Sequence, residues 1–259
     1  MPAGPPQPSL AQVVGRPTAP ASARPVTTNP AVTAARATVP VLCWHQLRDW
    51  TSSDLDYARR LLICPPKQFR RQLGALAGAG YTTVTADQYL EHLQRGTPLP
   101  DKPVMLSFDD SQGSQITAGL PALRRRGMTA TFFVMTVVLG EPGWMSPEDL
   151  RRLVGEGMTV AAHTWDHRPA DRYGTADYPV QFDRPRAVLE KIVRKPVHHF
   201  AYPYGSWAPS AFAPLRSAGY QTGFQLSDAP VDRTAPLLTL RRLMVNSTWS
   251  GPELLAQLT

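Results

Sequence analysis

A chain of 259 residues with 42% apolar content can bury one large core or two small ones, and its two cysteines exclude both a disulfide scaffold and a cysteine-rich zinc module. The formal charge of +7 favours acidic surfaces, yet apart from Arg124–Arg126 the basic residues are scattered, with no stripe interleaved with aromatics, so nucleic acid is not an expected partner. No apolar run is long enough to span a bilayer.

Residues 1–38 are rich in Pro, Ala, Thr and Ser, and the first acidic residue of the chain is Asp49. Such a segment buries too little apolar surface to offset its ordering entropy, so it reads as a disordered, partly polyproline linker preceding a domain over 39–259. Linkers of this kind often follow export signals. The N-terminus has no basic region followed by an apolar stretch, so the protein is either cytoplasmic or begins after a removed signal; the linker composition favours the second, and the expectation is a secreted or cell-envelope protein.

From Val39 the texture changes. Val39 to Leu47 predicts a first strand ending in Trp44-His45-Gln46, and Pro65-Pro66 opens a helix whose apolar face is Phe69, Leu73, Leu76 and Ala77. Tyr81 to Thr85 predicts a strand, Ala86 to Gln94 a helix, Pro103 to Phe108 a strand, and Gln115 to Arg126 a helix. Ala130 to Val138 is β-branched and aromatic, hence a strand; Ser146-Pro147-Glu148-Asp149 is a helix start with cap, proline and acids in order. Thr159 to Ala162, His198 to Tyr202, Gln221 to Leu226 and Leu237 to Val245 are further strands. Helices over 181–193 and 208–217 lie between them, and Ser250-Gly251-Pro252-Glu253 opens a last one. Regular strand–helix alternation implies parallel strands with helices outside, and seven or eight units point to an α/β barrel more than to an open sheet. No glycine-rich phosphate loop occurs, which argues against a nucleotide-binding fold.

Three polar strings close three of these strands: Ser107-Phe108-Asp109-Asp110, His163-Thr164-Trp165-Asp166-His167 and Phe200-Ala201-Tyr202-Pro203-Tyr204-Gly205. Adjacent carboxylates disfavour joint ionisation, and a bound cation removes the conflict by ligating one while the other takes a proton. The alternative for the pair is a solvated loop. Two imidazoles four residues apart are common metal-ligand spacing, and with one carboxylate they leave coordination positions open, as a catalytic metal requires. A magnesium site for phosphoryl transfer fits poorly, because magnesium prefers oxygen ligands. For the aromatics of the third string, core packing is the ordinary role, and Tyr202 is expected to have it.

Together these strings, in this order and separation, resemble the first three motifs of the NodB-like polysaccharide deacetylases over about residues 39–259. The resemblance implies a distorted (β/α) barrel of about seven strands and a divalent metal, most often Zn2+. It implies hydrolysis of acetyl groups on N-acetylhexosamine polysaccharides or oligosaccharides, or on O-acetylated ones in some members. Residue by residue, it implies Asp109 as general base and Asp110, His163 and His167 as metal ligands, with water activated by the metal as nucleophile. The N–H near Tyr204 would serve the oxyanion, and Pro203, Tyr204 and Gly205 would wall the substrate groove. Where many members carry a late histidine, this chain has Leu240-Arg241-Arg242-Leu243; the match to the poly-N-acetylglucosamine subgroup, which places its histidine on the first strand, makes His45 the general acid. Either Arg241 or Arg242 matches a family arginine that pairs with the catalytic aspartate. Ser111 stands where the family usually has glycine, which raises a second reading: a sugar-binding barrel with impaired turnover. A monomer is expected. Cys43 and Cys64 are either bridged or two buried thiols.

Overall fold

The computed structural model describes residues 26–227 and 229–258. Among them eight strands form one parallel sheet: β1 (Val41–Trp44), β2 (Thr82–Thr83), β3 (Pro103–Phe108), β4 (Thr131–Val134), β5 (Thr159–Ala162), β6 (His199–Ala201), β7 (Thr222–Phe224) and β8 (Leu243–Met244). Their order is β7-β6-β5-β4-β3-β1-β8, with β2 paired to β3 off that path. A parallel bridge between Phe224 and Leu240 brings the β7 edge against the segment that leads into β8, so the sheet curls into a distorted barrel.

The period-2 alternation of each strand sorts its residues into two cores. Leu42, Trp44, Leu106, Phe108, Phe132, Val134, Phe200 and Tyr202 point outward and pack beneath the surrounding helices. Val41, Met105, Phe133, Ala161, Ala201, Phe224 and Leu240 point inward and fill the barrel. Phe108 stacks on Phe132 at 4.9 Å and meets Phe69 edge-on at 5.7 Å. Aromatic contacts of this kind are each worth about 1 kcal/mol beyond area burial. They hold the outward face of β3 rigid at the residue before Asp109.

The helices are α1 (Pro30–Arg36), α2 (Asp56–Leu61), α3 (Pro66–Gly78), α4 (Ala86–Arg95), α5 (Leu120–Arg124), α6 (Pro147–Gly155), α7 (Arg184–Val193), α8 (Phe212–Ser217) and α9 (Gly251–Leu255). Reciprocal capping boxes start three of them: Thr85 with Gln88, Ser146 with Asp149 and Ser250 with Glu253. The helix expected over 115–126 divides into a π turn, Gln115–Gly119, and α5, and the one expected at 181–193 likewise begins with a π turn, Pro179–Asp183.

Two sequence expectations need correction, and one helix was not expected at all. The linker does not run to residue 38: Asn29 caps α1, and Arg36 donates to the Leu93 carbonyl on α4, so the helix docks on the domain. Residues 1–25 of that linker lie outside the described residues. Helix α2 has no buried residue and so no apolar periodicity to reveal it. The strand expected over 237–245 shrinks to Leu243–Met244, because Pro236 starts a 3-10 turn instead.

Candidate active site

Inward parity, carried past the last strand residue, builds the site. Val41 and Cys43 are followed at the same parity by His45, Met105 and Ser107 by Asp109, Ala161 by His163, and Leu240 by Arg242. All four of these polar residues are buried. Parity alone would send Asp110 outward. It turns inward because Asp110 and Ser111 both adopt left-handed backbone, φ 74 and 65. Among the described residues seven non-glycine positions have positive φ, and five of them, Asp110, Ser111, Thr164, His167 and Tyr204, line this rim. Each such residue costs about 1–2 kcal/mol, a strain that recurs where side chains are aimed for chemistry.

Ser111 fits its turn. It is buried, its hydroxyl accepts from the Met135 N–H at 2.8 Å and donates to the Met135 carbonyl at 3.3 Å, and its carbonyl accepts from Met145. These bonds tie the turn to the end of β4.

Asp110, His163 and His167 bring one donor atom each within 4.8 Å of one another. Nε2 of His167 lies 3.2 Å and Nε2 of His163 3.5 Å from Oδ1 of Asp110. His163 Nδ1 sits 2.8 Å from the Ala201 carbonyl, which can only accept, so Nδ1 carries the proton and the Nε2 lone pair faces the cluster. Oδ1 of Asp110 is buried with no hydrogen-bond partner. Two imidazole nitrogens and an orphaned carboxylate oxygen are a donor set that a divalent cation satisfies. Burial pushes the Asp110 carboxyl up, but the neighbouring imidazoles of His163 and His167 outweigh it and hold it well below the usual carboxylate range.

Asp109 is held differently. Arg242 grips it bidentately, Nη1 to Oδ1 at 2.6 Å and Nη2 to Oδ2 at 2.8 Å, while its Nε donates to the Gln225 carbonyl. Burial alone would raise the Asp109 carboxyl; the Arg242 guanidinium and His163 outweigh it and keep it ionised. Oδ2 of Asp109 is 3.8 Å from His163 Nε2, so this carboxylate borders the donor cluster without belonging to it. A ring nitrogen of His45, the Cys43 sulfur and an Asp109 oxygen also lie within 4.8 Å of one another. Nδ1 of His45 is buried and has no hydrogen-bond partner.

Pro203, Tyr204 and Gly205 form a 3-10 turn after β6. Tyr204 is 66% exposed, with its ring 4.6 Å from that of His167. A side chain at Gly205 would meet the Leu226 nitrogen at 2.3 Å, so the turn requires glycine there. Tyr202 is fully buried and packs 5.2 Å from Phe200, as its core role requires. His199 faces away, bonding Asp87 and Thr222. Cys43 and Cys64 are free and buried.

Every residue expected at the site from sequence is thus on this rim. Of the two late arginines, Arg242 is the one that holds Asp109. Gln115 is the residue sequence reasoning missed: its buried side-chain amide donates to the carbonyls of both Asp109 and His45, at 2.5 and 2.9 Å. The available signal was a polar residue at an inward position of an otherwise apolar helical face.

The family model described as "Polysaccharide deacetylase" matches residues 96–223, a span that contains Asp109, Asp110, His163, His167 and Tyr204 but neither His45 nor Arg242. The chain is 22% identical to YxkH of Bacillus subtilis over 215 residues, which is 83% of this chain and 74% of that protein. It is 21% identical over 198 residues to the poly-beta-1,6-N-acetyl-D-glucosamine N-deacetylase of Staphylococcus epidermidis, 70% of this chain and 67% of that one. To the peptidoglycan-N-acetylglucosamine deacetylase PgdA of Listeria monocytogenes it is 28% identical over 141 residues, 49% of this chain, and it spans only 28% of PgdA's length. The fold matches that of the Streptococcus pyogenes deacetylase PplD with a TM-score of 0.79 at 21% identity, over 85% of this chain and 98% of that chain.

Proposed function

Since the chain belongs to the polysaccharide deacetylase family, we propose that it hydrolyses the acetamide of N-acetylhexosamine units in a glycan at the rim bounded by Asp109, Asp110, His163 and His167. The observation that carries this reading is the division of labour between adjacent carboxylates. Asp110 has an unpartnered oxygen among two imidazoles, whereas Asp109 is clamped by Arg242 beside that cluster. Asp110, His163 and His167 would hold a divalent cation, zinc by the nitrogen-rich donor set, which supplies a Lewis acid that activates water and polarises the acetyl carbonyl. Asp109 Oδ2, facing the cluster, accepts the proton of the attacking water; its remaining lone pairs allow this while Arg242 stays bound. His45, close to Asp109, donates the proton that the leaving amine needs. The Gly205 and Ser206 N–H groups are spent on the Tyr202 and Pro203 carbonyls, so the Tyr204 N–H is the donor this turn offers to the oxyanion. The exposed Tyr204 ring gives a sugar an apolar face to lie against. The intact base and donor set favour turnover over a merely sugar-binding barrel. N-acetylated polymers of this kind lie outside the cell or in its envelope, and the enzyme is assigned there, as a monomer.

The test is deacetylation of an N-acetylglucosamine oligomer and of an activated acetyl ester by zinc- or cobalt-loaded protein. Asp109→Asn should lower kcat on both by about 10³-fold. His45→Gln should impair the amide far more than the ester, whose leaving group departs without a proton. Equal losses on both substrates would remove His45 from the acid role, and no turnover on either by the wild-type protein would sink the reading.

A further inference from the structure

The loop after β1, the start of α3 and the loop after β8 enclose a concavity at the end of the sheet where the strands deliver their polar residues. It has a volume of about 370 Å³ and is lined by Trp50, Lys67, Gln68, Arg71, Ser247 and Thr248, together with Pro65. Trp50 is 43% exposed. Its indole N–H donates to the Ile63 carbonyl at 2.9 Å, so the ring is held by its own loop. The Gln68 amide donates to the Trp249 carbonyl at 2.5 Å, the Ser247 hydroxyl to the Arg59 carbonyl, and the Thr248 hydroxyl to Asn246 at 2.8 Å. These four side chains are therefore held in place before any ligand arrives, which lowers the ordering cost of binding.

The charge of this concavity does not serve the fold. Lys67 and Arg71 are both exposed and stand one turn apart on α3, where like charges repel. Lys67 also sits in the first turn of a helix that has no acidic residue there, against the sign of the helix dipole. No carboxylate lines the concavity. A ligand anion would relieve each of these repulsions, and the Trp50 ring offers an apolar surface to the ring that carries the anion.

We propose that this concavity is a subsite for an anionic sugar, one bearing a carboxylate or a phosphate, in the glycan whose N-acetyl group is cleaved at the neighbouring centre. The inference rests on the deacetylase reading and narrows its substrate to an anionic glycan.

Calorimetric binding to the metal-free protein separates this from catalysis. The probes are an alternating glucuronate–N-acetylglucosamine hexasaccharide, its methyl ester, and a phosphorylated N-acetylglucosamine oligomer with its unphosphorylated parent. At least one anionic probe should bind about fivefold or more tighter than its neutral counterpart, and which one does so identifies the anion. That preference should vanish in the Lys67→Gln/Arg71→Gln double variant and in about 0.5 M salt, where exposed charges are screened. Trp50→Ala should weaken charged and neutral probes alike. Equal affinity for every charged and neutral pair, or a preference that survives the double variant with native circular dichroism, would overturn the proposal. Absence of turnover in the metal-loaded enzyme would instead strike the deacetylase reading and leave the binding result standing.

Discussion

Asp109 and Ser111 flank Asp110, and both are governed by partners distant in sequence. Arg242 answers the burial of Asp109, and removing such a partner leaves an uncompensated charge inside the barrel. Ser111 carries a left-handed backbone that glycine would adopt without strain, and in exchange supplies two hydrogen bonds to Met135. Ser111→Ala keeps the strain and strands the buried Met135 N–H, so it should destabilise the protein by about 2 kcal/mol in urea unfolding. Ser111→Gly also loses those bonds but sheds the strain, and should cost about 1 kcal/mol less than the alanine variant. If the two variants are equally stable, the turn is not strained by its serine. The serine that replaces the family's glycine is thus accounted for by a specific pair of bonds, which a motif cannot display.

At the scale of elements, α4 is pinned to the barrel floor. Asp87, in its first turn, accepts from His199 on β6 at 2.9 Å, and His199 in turn contacts Thr222 on β7. The His199 hydrogen bond lowers the Asp87 carboxyl, outweighing its partial burial, with His198 and Lys195 adding to the effect. A carboxyl lowered by folding contributes stability that is complete above its unfolded value, about 3.9, and is lost as pH falls through the folded value. Because the Asp87 side chain is 66% exposed, the contribution should be about 0.5 kcal/mol. Asp87→Asn should therefore melt slightly lower than the wild type at pH 6, with the gap closing progressively below about pH 4. A gap that widens on acidification would show that the pair does not stabilise the fold through the ionised carboxylate. The capping boxes at Thr85, Ser146 and Ser250 act on the same scale; those at Ser146 and Ser250 were readable in the sequence because each joins a serine cap, a proline in the first turn and an acid three residues on.

For the whole molecule, the donor cluster joins elements far apart in the chain: Asp110 follows β3, while His163 and His167 follow β5. A ligand that binds only when these are assembled stabilises the fold by mass action. Zinc or cobalt at about a hundredfold its dissociation constant should add about 2.7 kcal/mol, seen as a raised Tm that a chelator reverses. Asp110→Asn should abolish that shift, and a shift that persists would place the cation elsewhere.

The sequence by itself determined the alternating architecture, because parallel strands and amphipathic helices are written in local periodicity. It also determined that Asp109, Asp110, His163, His167 and Tyr204 lie at strand ends, where parallel strands with outer helices gather their polar residues on one rim. The resemblance alone singled out His45, and the structure shows it continuing the inward spacing of Val41 and Cys43. What only the tertiary structure decided is which groups meet across the barrel. Arg242, and not Arg241, reaches Asp109; Gln115 ties two strand ends together; left-handed backbone turns Asp110 back into the site; and Lys67 and Arg71 share a concavity with Trp50. Local patterns report how a residue is oriented on its own element, but contact between elements depends on the register and curl of the closed sheet, which no single segment encodes.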